Sequence, residues 1–468
     1  MARKAKKTRS SRTAPSAGTA PAPRNIGHPT FAEPEPTEDP KYFRIKHASD
    51  TVAYKEIDEL NHEHKIHPLP FPAPRGGVEP RLTLQEVMGG SSTAIDTITK
   101  NGQLVFQSGG DCGSTRSPEH QNQVTDKLVS DFHESDPKEV PSFLFMLGDV
   151  VYSFGEARYY FDQFYEPYRD YPAPILACAG NHDGMVSPTE NAKSLDAFLR
   201  NFCSEDFIAT TDAGSLTRTA QIQPGVFFTF EAPLVRIIAL YSNTLEDPGV
   251  IADSNIGDAQ LRFLDAALKR VKDENYTGAL LFAHHHPPYT ASNAGSRHGW
   301  SVQMLADMDA ACRKWSVWPH AVIAGHVHNY QRFTRHRADG AQIPYVSCGS
   351  LGHNVQSLTR KGATPLRVPA VLQQAQSGAD QVVLENYDDK NYGYLRIVVT
   401  EAQLRIEFHA ASDGPDIKAP DDFVTVDLAH RTLVHFNATD QGRALAESLV
   451  KGERDRLEKK RARAMRRG

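Results

Sequence analysis

Five short apolar runs in this chain each stop at a cluster of side chains able to bind metal ions or move protons. The clusters are Gly110-Asp111-Cys112-Gly113, Gly148-Asp149-Val150-Val151-Tyr152, Gly180-Asn181-His182-Asp183, His284-His285-His286-Pro287-Pro288-Tyr289 and Gly325-His326-Val327-His328. Asp111, Asp149, Tyr152, Asn181 and the histidines offer hard oxygen and borderline nitrogen donors with no thiolate pair. That set suits iron, zinc or manganese rather than a structural zinc knot. A single His-x-His pair is weak evidence in a chain with 20 histidines. Five clusters in series carry more weight, because residues remote in sequence meet when their strands end at a common edge.

The runs that precede the clusters are Leu104-Val105-Phe106, Phe143 to Leu147, Ile175 to Ala179, Ala279 to Ala283 and Ala321 to Ala324. Short continuous apolar stretches bounded by glycine or proline read as strands buried on both faces. Between them, Asn255 to Lys272 places Ile256, Leu261, Leu264, Leu268 and Val271 at near-helical spacing. A second β-rich set covers Gly225 to Ala232, Leu234 to Ser242, Tyr392 to Thr400 and Gln403 to Ala410, with the last two reading as a hairpin around Glu401-Ala402. Mixed sheets layered against helices follow from this order.

With these motifs in order, GDCG, GDVVY, GNHD, HHHPPY and GHVHNYQR, the chain resembles the calcineurin-like metallophosphoesterase superfamily, and within it the purple acid phosphatase type. The resemblance spans roughly residues 101 to 410. Gly113 stands where the wider superfamily has the histidine of Asp-x-His, and the second block ends in Tyr152, both features of the purple branch. The resemblance implies an α/β fold, a four-layer α/β/β/α sandwich with two mixed sheets. It also implies two metal ions, Fe(III) held by Asp111, Asp149, Tyr152 and His328, and a divalent Fe, Zn or Mn held by Asp149, Asn181, His285 and His326. Physics alone leaves the choice among the three consecutive histidines open, since His284 and His286 share one strand face and His285 takes the other. The family's spacing to a proline and an aromatic residue selects His285 and leaves the other two as hydrogen-bonded loop residues.

The implied activity is hydrolysis of phosphate esters, as an acid phosphatase-like phosphomonoesterase, through in-line attack of a metal-bridging hydroxide on phosphorus. Two aspartates, a tyrosinate and a hydroxide around a trivalent and a divalent ion leave about one positive charge, which attracts an anionic ester. His182 and His298 are the candidates to contact phosphate or protonate the leaving alkoxide, with Asp183 orienting His182. Asn181 serves substrate as well as metal, Tyr330 and Arg332 are candidates to face the pocket, and His353 is a candidate for its rim. Cys112 reads as a small buried side chain rather than a nucleophile, since no base adjoins it. The alternatives are a phosphodiesterase acting on nucleotides or phospholipid head groups and, in a different class, a non-catalytic partner-binding module on the same fold.

Composition sets the remaining bounds. A chain of 468 residues with 40% apolar residues can build a sizeable core. No apolar run reaches the roughly 18 residues needed to span a bilayer, and the first residues lack the apolar stretch of a secretory signal, so a cytoplasmic location is expected. The five cysteines are odd in number and widely spaced, as expected of reduced, buried thiols. Residues 1–24 carry seven positive and no negative side chains and residues 451–468 nine positive and three negative, so the body between them is strongly acidic. That balance excludes a global nucleic-acid footprint. Four segments follow: a disordered basic tail over 1–40, an extended proline-rich wrap over 41–100, a catalytic domain over 101–430 and a basic helix or tail over 431–468. The tails read as solvated, with contact to nucleic acid or an anionic surface as the lesser alternative.

Overall fold

The computed structural model describes residues 34–35, 44–45, 52–62, 67–114, 117–186, 193–242, 249–292, 298–359, 364–372 and 380–434. The expectations for the two basic tails fall almost wholly outside these residues. The strands before residue 300 are β1 (Pro34–Glu35), β2 (Arg44–Ile45), β3 (Arg81–Thr83), β4 (Gln103–Gly109), β5 (Leu144–Leu147), β6 (Ile175–Cys178), β7 (Phe228–Ala232), β8 (Val235–Ala239) and β9 (Ala279–His284). After it come β10 (Ala321–Ala324), β11 (Tyr330–His336), β12 (Gln342–Cys348), β13 (Ala370–Val371), β14 (Gln381–Asp388), β15 (Gly393–Thr400), β16 (Gln403–Ala410), β17 (Asp422–Asp427) and β18 (Thr432–Leu433).

Apart from the small β1–β2 ladder, the strands form two sheets, in the orders β13-β14-β11-β12-β10-β9-β8-β7-β3 and β18-β17-β16-β15-β4-β5-β6. Both are mixed. In the seven-stranded sheet β4, β5 and β6 run parallel while β15 and β16 pair antiparallel. In the nine-stranded sheet β8, β9, β10 and β12 run parallel and β11 returns antiparallel. The expected hairpin spans Gly393–Thr400 and Gln403–Ala410.

The sheets pack face to face over an apolar core to which both contribute. Phe106 stacks on Phe143 at 4.7 Å, and Phe230 of the opposite sheet meets Phe143 edge-on at 5.0 Å. Outside the sheets lie the longer helices, α4 (Glu119–Ser130), α7 (Ala259–Asp273) and α8 (Val302–Trp315), which bury Val124 and Leu128, Phe263 and Leu264, and Met304 and Met308 respectively. Their apolar stripes cover the outer sheet faces, which completes the four layers. α7 starts later than its apolar spacing predicts, because the Asp253 carboxylate accepts the amides of Asn255 and Ile256 at 2.7 and 2.9 Å and holds them in a turn.

The front of the chain departs from the expected wrap. Residues 67–74 have no regular element, in keeping with their prolines, but α1 (Val52–His62), α2 (Leu84–Val87) and α3 (Thr93–Asn101) are helical. β3 lies parallel beside β7 at the edge of the nine-stranded sheet. Leu82 and Leu84 enter the core between the sheets, and Thr83 and Glu86 cap α2 reciprocally. Burial of those leucines makes residues 81–101 part of the sandwich rather than a covering. All five cysteines are free and buried. Among the described residues, no helix is long and apolar enough to cross a membrane.

At the end of the sandwich opposite the clusters, His320 joins the two sheets. Its Nδ1 accepts the Leu280 amide at 2.9 Å and its Nε2 lies 3.1 Å from the Leu428 carbonyl, to which it must donate. Burial, then the Arg431 charge, pushes this imidazole down to about 4. Below the unfolded value of about 6.5 the unfolded chain takes up a proton that the folded chain refuses, so stability falls as pH drops from 6.5 toward 4, by at most about 1.4 kcal/mol per pH unit. His320→Gln, whose amide can accept and donate in the same places, is expected to lose less stability between pH 7 and pH 5 than the parent in urea unfolding. Equal losses in the two proteins would assign the acid sensitivity to other groups.

Candidate metal centre

Asp111, Asp149 and Asn181 follow β4, β5 and β6, three adjacent parallel strands, while His285 and His326 follow β9 and β10, an adjacent parallel pair in the facing sheet. All five loops therefore leave carboxyl ends of strands at the same end of the sandwich. Backbone bonds tie them together: Asp111 N donates to Gly148 O at 2.9 Å, Cys112 N to Asp149 O at 3.2 Å and Gly325 N to His285 O at 3.0 Å. Asp111, Asp149 and His326 have φ of 60°, 53° and 68°, in the left-handed region. Asp and His are among the residues that visit it, at an energetic cost that surrounding packing has to meet. Close approach needs glycine at two points. A Cβ on Gly325 would press on Leu147 O at 2.7 Å and Asp111 Oδ2 at 2.8 Å, and one on Gly180 would overlap Asp149 Oδ1 and its backbone nitrogen.

Two donor sets result. In the first, Tyr152 Oη donates to Asp111 Oδ1 at 2.9 Å, and His328 Nε2 lies 3.2 Å from that hydroxyl and 3.3 Å from the same carboxylate oxygen. In the second, His285 Nε2 lies 2.9 Å from Asn181 Oδ1 and 3.2 Å from Asp149 Oδ2. His285 Nδ1 must donate to the Leu147 carbonyl at 2.7 Å, since a carbonyl only accepts, and this aims Nε2 at the cluster. Asp111, Asp149 and His285 present ligand atoms within 4.8 Å of one another. His326 donates its amide to Asp111 Oδ2 at 2.7 Å, while its buried Nε2 has no hydrogen-bond partner among the described residues. Asp149 Oδ2 likewise makes no well-formed hydrogen bond. Buried acceptor atoms without donors, beside a cluster of two carboxylates and an imidazole, fit metal ions of the kind their donor types suggest.

The electrostatics agree with that fit. Burial lowers the basicity of His182 and His326, the latter pushed further down by His286. Burial also favours a neutral Asp149, yet the His285 and His182 charges outweigh it and keep the carboxyl well below its usual range. His285 moves the other way: burial opposes its charge, but Asp149 and Asp111 raise it to about 9. The carboxylates thus favour positive charge at this point of the cluster. Burial and Asp111 hold the Tyr152 phenol well above its ordinary value, so its ionisation requires a cation.

The structure brings all seven expected metal residues to this end of the sandwich, and with them His182 and His298. His182 donates its amide to Asp149 Oδ1 at 2.9 Å and its Nδ1 lies 2.8 Å from Ser153 O. The His298 ring is 4.9 Å from that of His326 and 5.0 Å from that of His328. Asp183 differs from expectation. Its carboxylate accepts from the amides of Val150 (3.1 Å), Val151 (3.3 Å) and Gly180 (2.8 Å), so it anchors the loop after Asp149, while the His182 ring is oriented by the Ser153 carbonyl. Tyr330 also differs. Its ring stacks on Phe408 at 4.2 Å inside the inter-sheet core and its hydroxyl donates to Asp422 at 2.8 Å, because a buried phenol needs an acceptor and β17 provides one. Arg332 joins the same carboxylate at 2.7 Å and is no pocket residue. His353 lies half-buried at the rim with its ring flat on Tyr152.

Three supporting contacts escaped the sequence. Gln163 clamps Tyr152 by both backbone groups, accepting from N at 2.9 Å and donating to O at 3.0 Å. The Gln356 amide lies 3.2 Å from His328 Nδ1, and Ser242 Oγ lies 2.6 Å from His286 Nδ1. The one local signal was a glutamine inside the aromatic run Tyr159-Tyr160-Phe161-Asp162-Gln163-Phe164-Tyr165.

The calcineurin-like phosphoesterase family matches residues 44–330 of the sequence. The chain belongs to this family. Over 216 residues it is 30% identical to probable purple acid phosphatase 20 of Arabidopsis thaliana, a match covering 46% of this chain and 45% of that protein. The chain thus matches less than half the length of this relative. Among solved structures, purple acid phosphatase PPD1 of yellow lupin is similar at 15% identity and a TM-score of 0.45, over 69% of this chain and 54% of that one. PhoD is similar at 12% identity and 0.43, over 77% and 78%. GAP50, the anchor in the inner membrane complex of Plasmodium, is similar at 15% and 0.43, over 67% and 86%.

The tight fit at Gly180 generates a direct test. Gly180→Ala is expected to drive the Asp149 carboxylate out of place while leaving the strands intact. Metal content after gel filtration should fall well below that of the parent, with unchanged far-ultraviolet circular dichroism. Full metal retention would show that Asp149 is not a ligand.

Proposed function

We propose that the chain is a dinuclear metal-dependent phosphomonoesterase of the purple acid phosphatase type. The observation that carries this reading is the approach of Asp111, from the first donor set, to Asp149 and His285, from the second, within 4.8 Å, with buried Asp149 Oδ2 and His326 Nε2 left without hydrogen bonds among the described residues. Asp111, Asp149, Tyr152 and His328 would hold Fe(III), and Asp149, Asn181, His285 and His326 a divalent Fe, Zn or Mn. When bound, such a pair activates water near neutral pH and stabilises charge on the phosphoryl oxygens.

The protein's own groups do the rest. Asp149 would serve both metal positions, and its position is fixed by the His182 amide and by the loop that Asp183 anchors. His285 is locked by the Leu147 carbonyl, which keeps its Nε2 turned inward. His182 and His298 are the candidates to contact an ester phosphate or to deliver a proton to the leaving oxygen, with the Ser153 carbonyl holding His182 in one tautomer.

Asp149→Ala is expected to lower the metal content from about two ions per chain and cut hydrolysis of an aryl phosphate beyond the roughly 10–100-fold typical of losing a supporting partner. Full activity in that variant would falsify the assignment. With iron loaded, Tyr152→Phe should bleach a pink to purple charge-transfer colour. A colourless yet active iron-loaded parent would exclude the purple type while leaving family membership untouched. A panel of monoesters and diesters assayed on the same preparations separates the phosphomonoesterase from a diesterase.

A further inference from the structure

Tyr152 is held more tightly than a ligand on a loop needs to be, and the last element of that hold comes from the opposite sheet. The His353 ring lies on it with centroids 3.6 Å apart and planes 8° from parallel. Beside the same ring lies His182, at 4.4 Å and tilted by 41°. Gln163 pins the Tyr152 backbone at both its N–H and its carbonyl. The Tyr152 hydroxyl is anchored to Asp111 Oδ1, and the flat contact with His353 restricts the remaining rotation of the ring plane.

His353 is itself fixed from two directions. Its amide donates to Asp111 O at 2.8 Å, and its Nδ1 lies 2.8 Å from Gly113 O, a carbonyl to which it must donate. Leu351, two residues before it, donates its amide to Gly110 O at 3.1 Å. The loop that follows β12 of the nine-stranded sheet is thereby tied to the loop that follows β4 of the seven-stranded sheet, and His353 is its tip against Tyr152. With Nδ1 committed to a carbonyl, the imidazole cannot rotate away without losing that bond.

We propose that His353 is a positioning residue for Tyr152, fixing the plane of the phenol, and with it the direction from which Oη approaches the first metal position, by ring-on-ring contact across the two sheets. This rests on reading Tyr152 as a metal ligand. The contact sets where Oη stands relative to Asp111 Oδ1, at 2.9 Å, and His328 Nε2, at 3.2 Å. It also keeps water off one face of the ring, and second-layer groups of this kind tune both the geometry and the electronic character of a ligand. His353 acts here through Tyr152, not on substrate.

The test uses the full chain loaded with iron, as parent, Tyr152→Phe, His353→Ala and His353→Phe. Absorption spectra and metal retention against a chelator are read on each, with kcat and KM for an aryl phosphate. His353→Ala removes the ring and is expected to shift and weaken the tyrosinate charge-transfer band, with roughly a 10–100-fold loss of metal affinity and a fall in kcat larger than any change in KM. His353→Phe retains a flat ring and should keep band and affinity close to the parent. Three results overturn the inference. An unchanged band and affinity in His353→Ala with a raised KM makes His353 a substrate contact and leaves the ligand role of Tyr152 standing. Equal loss in His353→Ala and His353→Phe shows that the ring contact is not the cause. A parent with no band that Tyr152→Phe removes takes the tyrosinate reading down together with this one.

Discussion

Buried electron pairs that face one another without enough protons between them are the constraint on which this molecule turns. Asp111, Asp149 and His285 are inaccessible to solvent and offer their donor atoms within 4.8 Å of each other. Such a group of acceptors repels itself and gains little from water it cannot reach. Against burial, which alone would lower it, the Asp149 and Asp111 carboxylates raise the His285 imidazole to about 9, so the group favours positive charge in its midst. Bound metal ions would meet the same need, and His326 Nε2, buried with no hydrogen-bond partner among the described residues, is a further atom they could satisfy.

That crowding is tolerable only because the scaffold around it is stiff. Two sheets with a continuous apolar interior deliver the donor loops from strands that are adjacent and parallel in each sheet. The loops are joined to one another by backbone hydrogen bonds rather than by side chains alone, so that no single loop can relax away from the repulsion independently. Three of the donors sit in left-handed backbone, a conformation that ordinary packing would not select. Asp183 shows the same division of labour: a carboxylate next to the centre is spent on three backbone amides, and the benefit is a fixed position for Asp149.

Contacts that cross between the sheets recur at both ends of the sandwich. At one end His320 bonds a residue of β9 and the turn after β17. At the other, the loop after β12 reaches the loop after β4 and ends with His353 lying on Tyr152. Between them, Tyr330 stacks on Phe408 and shares the Asp422 carboxylate with Arg332. A polar residue that follows a chemical motif in sequence is therefore as free to lock the sheets together as to face the pocket, and the side of the strand on which it falls decides.

Residue types and order alone determined much of this. The five apolar runs announced the strands, because stretches that short, bounded by glycine or proline, suit strands buried on both faces, and the donors at their ends announced a metal-binding edge. Tertiary structure decided what local pattern leaves open. That His285 turns inward is settled by the Leu147 carbonyl, 138 residues away in the chain. The assignment of Asp183 to amides, of Tyr330 to the core and of His353 to the face of Tyr152 follows from which loops touch across the sheets. Those contacts depend on strand order and on separations of a few ångströms set by glycine, and neither quantity is written in the periodicity of any one segment.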